Sequence, residues 1–108
     1  MTRRAYGRRG EALAEALYRV RGHRILGRRV RTPAAEVDLV ARRGRVLVVV
    51  EVKRRRIATG ETSWIEPVQL ERLRAAARHL RAGAPWAERV RIDLVMIEGL
   101  RPRIVRLQ

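Results

Sequence analysis

The sequence predicts an α/β domain with the element order αβββαββ, on three observations. Apolar residues recur at helical spacing in two separated stretches, Leu13, Leu17 and Val20 in one and Leu73, Ala76, Ala77 and Leu80 in the other. Between them Glu36 to Ala41 alternates polar and apolar, and Val46 to Val52 is nearly all β-branched, as paired strands require. The length, 108 residues, suffices for one modest core and is too short for two.

Taken in order, the first helix is expected from about Gly7 to Arg21, with Ala16 beside the Leu13, Leu17 and Val20 face and Gly22 as its stop. Arg24 to Arg31 reads as a weak peripheral strand, broken by Thr32-Pro33. The next two strands form a hairpin around Arg42-Arg43-Gly44-Arg45. Arg54 to Ser63, rich in arginine and containing Gly60, reads as an exposed loop. The second helix begins near Glu66-Pro67, because proline in a first turn gives up an N–H that has no helical partner anyway. It ends at Gly83-Ala84-Pro85. Val90 to Ile97 is a further strand and Arg103 to Leu107 a short last one. No repeat or linker interrupts this pattern, so residues 1–108 are expected to form a single domain.

Charge narrows the class of partner. Charged residues make up 34% of the chain and the net charge is +15, an imbalance that costs self-repulsion and suits a polyanionic partner. A GC-rich genome would account for Arg over Lys, but not for the excess of positive over negative. An acidic membrane or protein surface is the other class the charge admits. With no cysteine, disulfides and thiolate metal sites are excluded. No apolar run approaches the ~18 residues of a membrane span. The basic start lacks a secretory apolar segment, and Glu11 and Glu15 argue against a transit peptide. The cytoplasm is the expected compartment.

Of 26 Lys and Arg residues, only Lys53 is a lysine. A chain that uses Arg everywhere else and Lys here points to a position needing a compact ammonium with a tunable pKa. Period-two geometry puts Leu47, Val49, Glu51 and Lys53 on one face of their strand, with Val46, Val48, Val50 and Val52 on the other. On the preceding strand Glu36, Asp38 and Val40 share a face. With an even number of turn residues, Asp38 falls opposite Val49 or Glu51, so Glu36, Asp38, Glu51 and Lys53 converge; an odd loop or a bulge would split them.

Carboxylates gathered on adjacent strands raise one another's pKa unless a cation lies between them. Carboxylates, a backbone carbonyl and waters suit Mg²⁺ or Mn²⁺ and leave positions for a phosphate oxygen and a nucleophilic water. Lys53 would then orient that water or stabilise charge on the transition state. The alternative is a solvated strand face on which Glu51 and Lys53 meet water and Asp38 pairs with an arginine. Against it stand the buried-looking valine strand, the Asp-bearing partner strand and the single lysine.

With these residues in view, the chain resembles the PD-(D/E)xK nuclease superfamily of restriction endonuclease-like fold, and within it the YraN-like family of small bacterial proteins. The shared pattern runs through Gly10-Glu11, Arg24-Ile-Leu, Glu36-Val-Asp38-Leu-Val, Val48-Val-Val-Glu51-Val-Lys53-Arg-Arg, Leu73-Arg-Ala-Ala-Ala-Arg and Arg91-Ile-Asp93-Leu-Val, most of the chain from about Gly7 to Ile97. The resemblance implies a single central mixed sheet flanked by helices. It also implies Asp38 and Glu51 as metal ligands with the Val52 carbonyl, Lys53 as the catalytic lysine, and Glu11 near the metal from the first helix. Glu11 also has a plainer reading, a favourable charge early in a helix. Glu36 is either a supporting or a structural residue, and Asp93 a possible partner of Arg89 or Arg91. The chain departs from the family in having Ala34-Ala35 where a glycine is frequent, and Glu66-Pro67 then Gln69 where Thr-Pro then Lys is frequent. Gln69 is similar to a glutamine that some superfamily nucleases direct at the site or at phosphates.

The remaining residues divide by chemistry. Arg42, Arg43, Arg54, Arg55 and Arg56 are expected near the site as phosphate contacts, whereas Arg72, Arg78 and Arg81 read as a solvated helix face. His23 and His79 lack ligand spacing and read as surface or satisfied histidines. Trp64 and Trp86 could stack on bases but better suit caps on the core. The favoured reading is a Mg²⁺- or Mn²⁺-dependent endonuclease acting on DNA, with branched DNA as one substrate and a 5′-phosphate product by analogy with the superfamily. The alternative is a non-catalytic module of the same fold that binds DNA or RNA. A two-fold dimer would suit either a duplex or a branched substrate.

Overall fold

The computed structural model describes residues 3–55 and 65–108; the side chains of residues 3–9 and 55 lie outside that description. Arg56 and Trp64, both considered above, fall outside it as well. The element order is α1 (Arg3–Val20), β1 (Arg24–Arg31), β2 (Glu36–Arg43), β3 (Val46–Arg55), α2 (Pro67–Ala82), β4 (Arg89–Glu98) and β5 (Arg101–Arg106). The expected αβββαββ order is therefore the observed one. Arg54 and Arg55, expected in a loop, continue β3 instead.

The strands form one five-stranded mixed sheet in the order β1-β2-β3-β4-β5. All neighbours are antiparallel except β3 and β4, which run parallel, with α2 as the crossover between them. A parallel central strand is covered on both faces, and this is why β3 reads as an almost unbroken apolar run. Val48 and Val50 pack with Ala14 and Tyr18 of α1, while Leu47 and Val49 pack with Leu73, Ala76 and Ala77 of α2. The helices thus cover opposite faces, and the alanines let them lie close to the sheet. Each fully buried valine of β3 contributes about 1.5–2 kcal/mol.

A two-residue turn, Gly44-Arg45, fixes the hairpin register. Gly44 has φ 60 at the first turn position, where tight hairpins need a residue without a Cβ. The resulting ladder runs from Arg43↔Val46 to Leu39↔Val50. At the edge, β1 carries a bulge between Ile25 and Gly27 and a left-handed residue, Arg29, at φ 50. That break in alternation sends Arg28 and Arg29 in succession toward α1, where they pair with Glu15 and Glu11, and turns Val30 to the α2 side.

Candidate active site at the splayed end of the hairpin

The next pair in the β2–β3 register would be Asp38 opposite Glu51, but the ladder stops one residue short, at Leu39↔Val50. From there β2 stays paired with β1, through Val30↔Val37 and Arg31↔Glu36, while β3 stays paired with β4 through Arg55↔Glu98. The sheet therefore opens between its second and third strands. Strict alternation would place Val37 on the face of Leu39, yet Val37 packs in the α2-side core and Leu39 in the α1-side core. The twist between them turns Asp38 edgewise into the opening, so it does not simply share a face with Glu36 and Val40. Its Oδ2 accepts a hydrogen bond from the Val52 N–H at 2.7 Å. Because a strand residue's N–H and C=O leave along the same edge, the Val52 carbonyl is directed into this opening too.

Glu51 is 8% exposed. Its Oε1 lies 3.5 Å from the Lys53 Nζ and accepts a hydrogen bond from Gln69 Nε2 at 3.2 Å, from the first turns of α2. Burial, and then the adjacent Asp38 carboxylate, push the Glu51 carboxyl up to about 7, with Lys53 opposing both. Asp38 is raised as well, chiefly by burial and further by Glu11, against the opposing Val52 N–H and Lys53 ammonium. Two carboxyls in contact, both harder to ionise than usual, make a donor set that a hard divalent cation satisfies. Among the described residues no three Asp, Glu or His side chains cluster closely enough to ligate an ion alone. An ion held here would draw on Asp38, Glu51 and the Val52 carbonyl, with water and substrate completing its shell.

The other predicted residues are distributed unequally around this centre. Glu11 approaches from α1 but is held by Arg29 at 3.0 Å. Glu36 is exposed, 3.8 Å from Arg31, and borders with Glu51, Gln69 and Arg72 a cavity of about 230 Å³. Arg42 and Arg43 are not near the site. They sit at the turn end of the hairpin, where the Arg42 guanidinium lies 4.0 Å over the Trp86 ring and its Nε donates to the Gly44 carbonyl. The reason is length: Arg42 lies four steps along the strand from Asp38, about 13 Å. Arg54 belongs to the α1 face of β3, its side chain 3.5 Å from where a Cβ on Gly10 would lie, and so points away from Glu51 and Lys53. Trp86 packs on the α2-side core, as a cap should. Arg29 was not singled out in the sequence, and Arg72, read there as part of a solvated helix face, is exposed as expected but also borders the cavity beside Glu51. Arg72 follows Gln69 at i+3, a helical spacing that would have placed it beside the site; only the left-handed backbone at Arg29 explains its reach to Glu11.

The family model described as Uncharacterised protein family UPF0102 matches residues 10–97. A UPF0102 protein of Caulobacter vibrioides is 45% identical over 101 residues, covering 92% of this chain and 81% of that one. One from Parvibaculum lavamentivorans is 46% identical over 93 residues, covering 84% and 70%. One from Rhizorhabdus wittichii is 46% identical over 107 residues, covering 94% and 90%. The matched span runs from Gly10 through both strands that carry Asp38, Glu51 and Lys53, and the chain belongs to the uncharacterised protein family UPF0102.

Proposed function

We propose that this protein is a metal-dependent endonuclease that hydrolyses phosphodiester bonds, with DNA as its substrate and branched DNA the form to test first. One observation carries the reading: the contacting Asp38 and Glu51 carboxyls, with the only lysine 3.5 Å from Glu51, at an opening in the sheet of a chain with net charge +15. A module that only bound a polyanion would gain nothing from two buried carboxyls aimed at it, since they repel phosphate. Mg²⁺ or Mn²⁺, held by Asp38, Glu51 and the Val52 carbonyl, would polarise a phosphoryl oxygen and lower the pKa of water. Gln69 fixes the Glu51 carboxyl through its hydrogen bond to Oε1. Val52 does the same for Asp38. Lys53, 3.5 Å from Glu51, would stabilise the negative charge that grows on the attacked phosphate. A binding-only reading has one observation in its favour: Glu11 is already paired with Arg29, leaving two acidic side chains rather than three at the centre.

The experiment is cleavage of branched, flap, single-stranded and duplex DNA, and of RNA, in Mg²⁺, Mn²⁺ or EDTA. Asp38→Ala and Lys53→Ala should each lower Mg²⁺-dependent cleavage about 10²-fold or more, with substrate binding retained. Tight binding without cleavage on every substrate, unaltered by either substitution, would decide for the binding module.

A further inference from the structure

On the face of the sheet opposite Glu51 and Lys53 lies a second concavity, about 490 Å³, that the proposed chemistry does not use. Its floor is a closed network. Asp93 is completely buried, accepts a hydrogen bond from the Tyr18 hydroxyl at 2.6 Å, and is gripped by Arg91 through Nε at 3.0 Å and Nη2 at 3.0 Å. Arg91 Nη2 also lies 3.2 Å from His23 Nε2, and His23 Nδ1 lies 3.2 Å from the Tyr18 carbonyl. Since Arg91 can only donate and the carbonyl only accept, His23 is assigned as the neutral Nδ1–H tautomer. Burial and the Arg91 charge both push its pKa down, which agrees. One buried anion, one cation and two neutral groups leave the floor with no net charge.

The rim is different. Arg21, Arg43 and Arg106 border the cavity, and among the described residues none of these three side chains has a carboxylate partner. Elsewhere the acids are used to balance arginines: Glu15 takes Arg19 and Arg28, Glu88 takes Arg45, and Glu71 takes Arg74. Three guanidiniums around a concave, rigid, neutral floor repel one another and focus a positive field into it. Guanidiniums meet phosphate oxygens in charge-assisted, often bidentate hydrogen bonds. We infer that this concavity is a phosphate-binding site, distinct from the carboxylate centre, in which Arg21, Arg43 and Arg106 grip the anion and the Asp93–Arg91–His23–Tyr18 network holds the floor in shape. It does not depend on cleavage, and it stands whether the protein cuts nucleic acid or only binds it. The phosphate is either part of a nucleic-acid backbone or carried by a small phosphorylated ligand.

The test uses the full chain, with pyrophosphate as probe at constant ionic strength. In the wild-type protein, pyrophosphate should shift the NMR signals of the His23 ring and the Arg91 Nε–H without moving those near Glu51. Arg43→Gln with Arg106→Gln should weaken its binding at least tenfold. Arg78→Gln with Arg81→Gln, an equal charge loss at exposed positions of α2 on the opposite side of the sheet, should change it less than about twofold. Equal weakening by both pairs, or no shift at His23 and Arg91, would overturn the site and leave only diffuse surface charge. A DNA-binding arm identifies the source. Loss of about 1 to 2 from the slope of log K against log salt in the Arg43/Arg106 variant assigns the site to backbone phosphates. An unchanged slope with pyrophosphate binding lost assigns it to a small phosphorylated ligand.

Discussion

Glu51→Gln should make this protein more stable at alkaline pH, although it removes a residue of the proposed active site. In the folded chain the Glu51 carboxyl is pushed from its ordinary 4.5 up to about 7. Below pH 4.5 it is protonated in both the folded and unfolded chain and carries no penalty. Between pH 4.5 and 7 the unfolded chain ionises while the folded chain still holds its proton, so stability is lost progressively across that window and levels off above it. At about 1.4 kcal/mol per pH unit, the rise amounts to about 3 kcal/mol by pH 8. Asp38, raised in the same direction, adds to the loss. Glutamine cannot ionise, and its amide can still meet Gln69. Lys53 is 31% exposed and keeps water in place of its partner, so that loss costs under about 1 kcal/mol. Urea denaturation at pH 5 and pH 8 should show the variant gaining about 2–3 kcal/mol over wild type at pH 8 and little at pH 5. Millimolar Mg²⁺ should stabilise the wild type at pH 8 by mass action and leave the variant unaffected. A wild-type stability flat between pH 5 and 8, with no response to Mg²⁺, would refute both the frustrated carboxyl pair and its role as a cation site.

Two further outcomes follow from the fold. Tyr18→Phe removes the hydroxyl that donates to the buried Asp93 and should cost about 1–3 kcal/mol; Asp93→Ala, which leaves Arg91 without its counter-charge, should cost about 3–5 kcal/mol. Equal costs in urea titrations would mean that Arg91 does not depend on Asp93. Gly44→Val places a β-branched residue at φ 60 and should cost about 1–2 kcal/mol in thermal denaturation; no change would show that the turn does not hold the register that sets Asp38 against Glu51.

The candidate site was legible in the sequence as far as strand periodicity reaches. A single lysine two residues after Glu51, an Asp-bearing strand before it and an even turn between them were enough to bring Asp38, Glu51 and Lys53 to one place. Periodicity treats a strand as straight, so it misled where backbone bends. It set Asp38 on a face with Glu36, whereas the twist between Val37 and Leu39 turns Asp38 into the gap. It also carried Arg42 and Arg43 to the site because they are near Asp38 in sequence, although strand length carries them to the other end of the hairpin.

The order of elements, the two helix faces, the central strand and the residues able to do chemistry are readable from the chain before it folds. These depend on local spacing, which each segment carries alone. Which strands separate, and where, was decided only in three dimensions. The opening at Asp38 exists because β2 remains bound to β1 while β3 remains bound to β4, a competition no single segment encodes. The same holds for the Tyr18, His23, Arg91 and Asp93 network, whose members lie up to 75 positions apart. Burying a charge requires partners from several elements at once. Only the assembled sheet and helix supply them together.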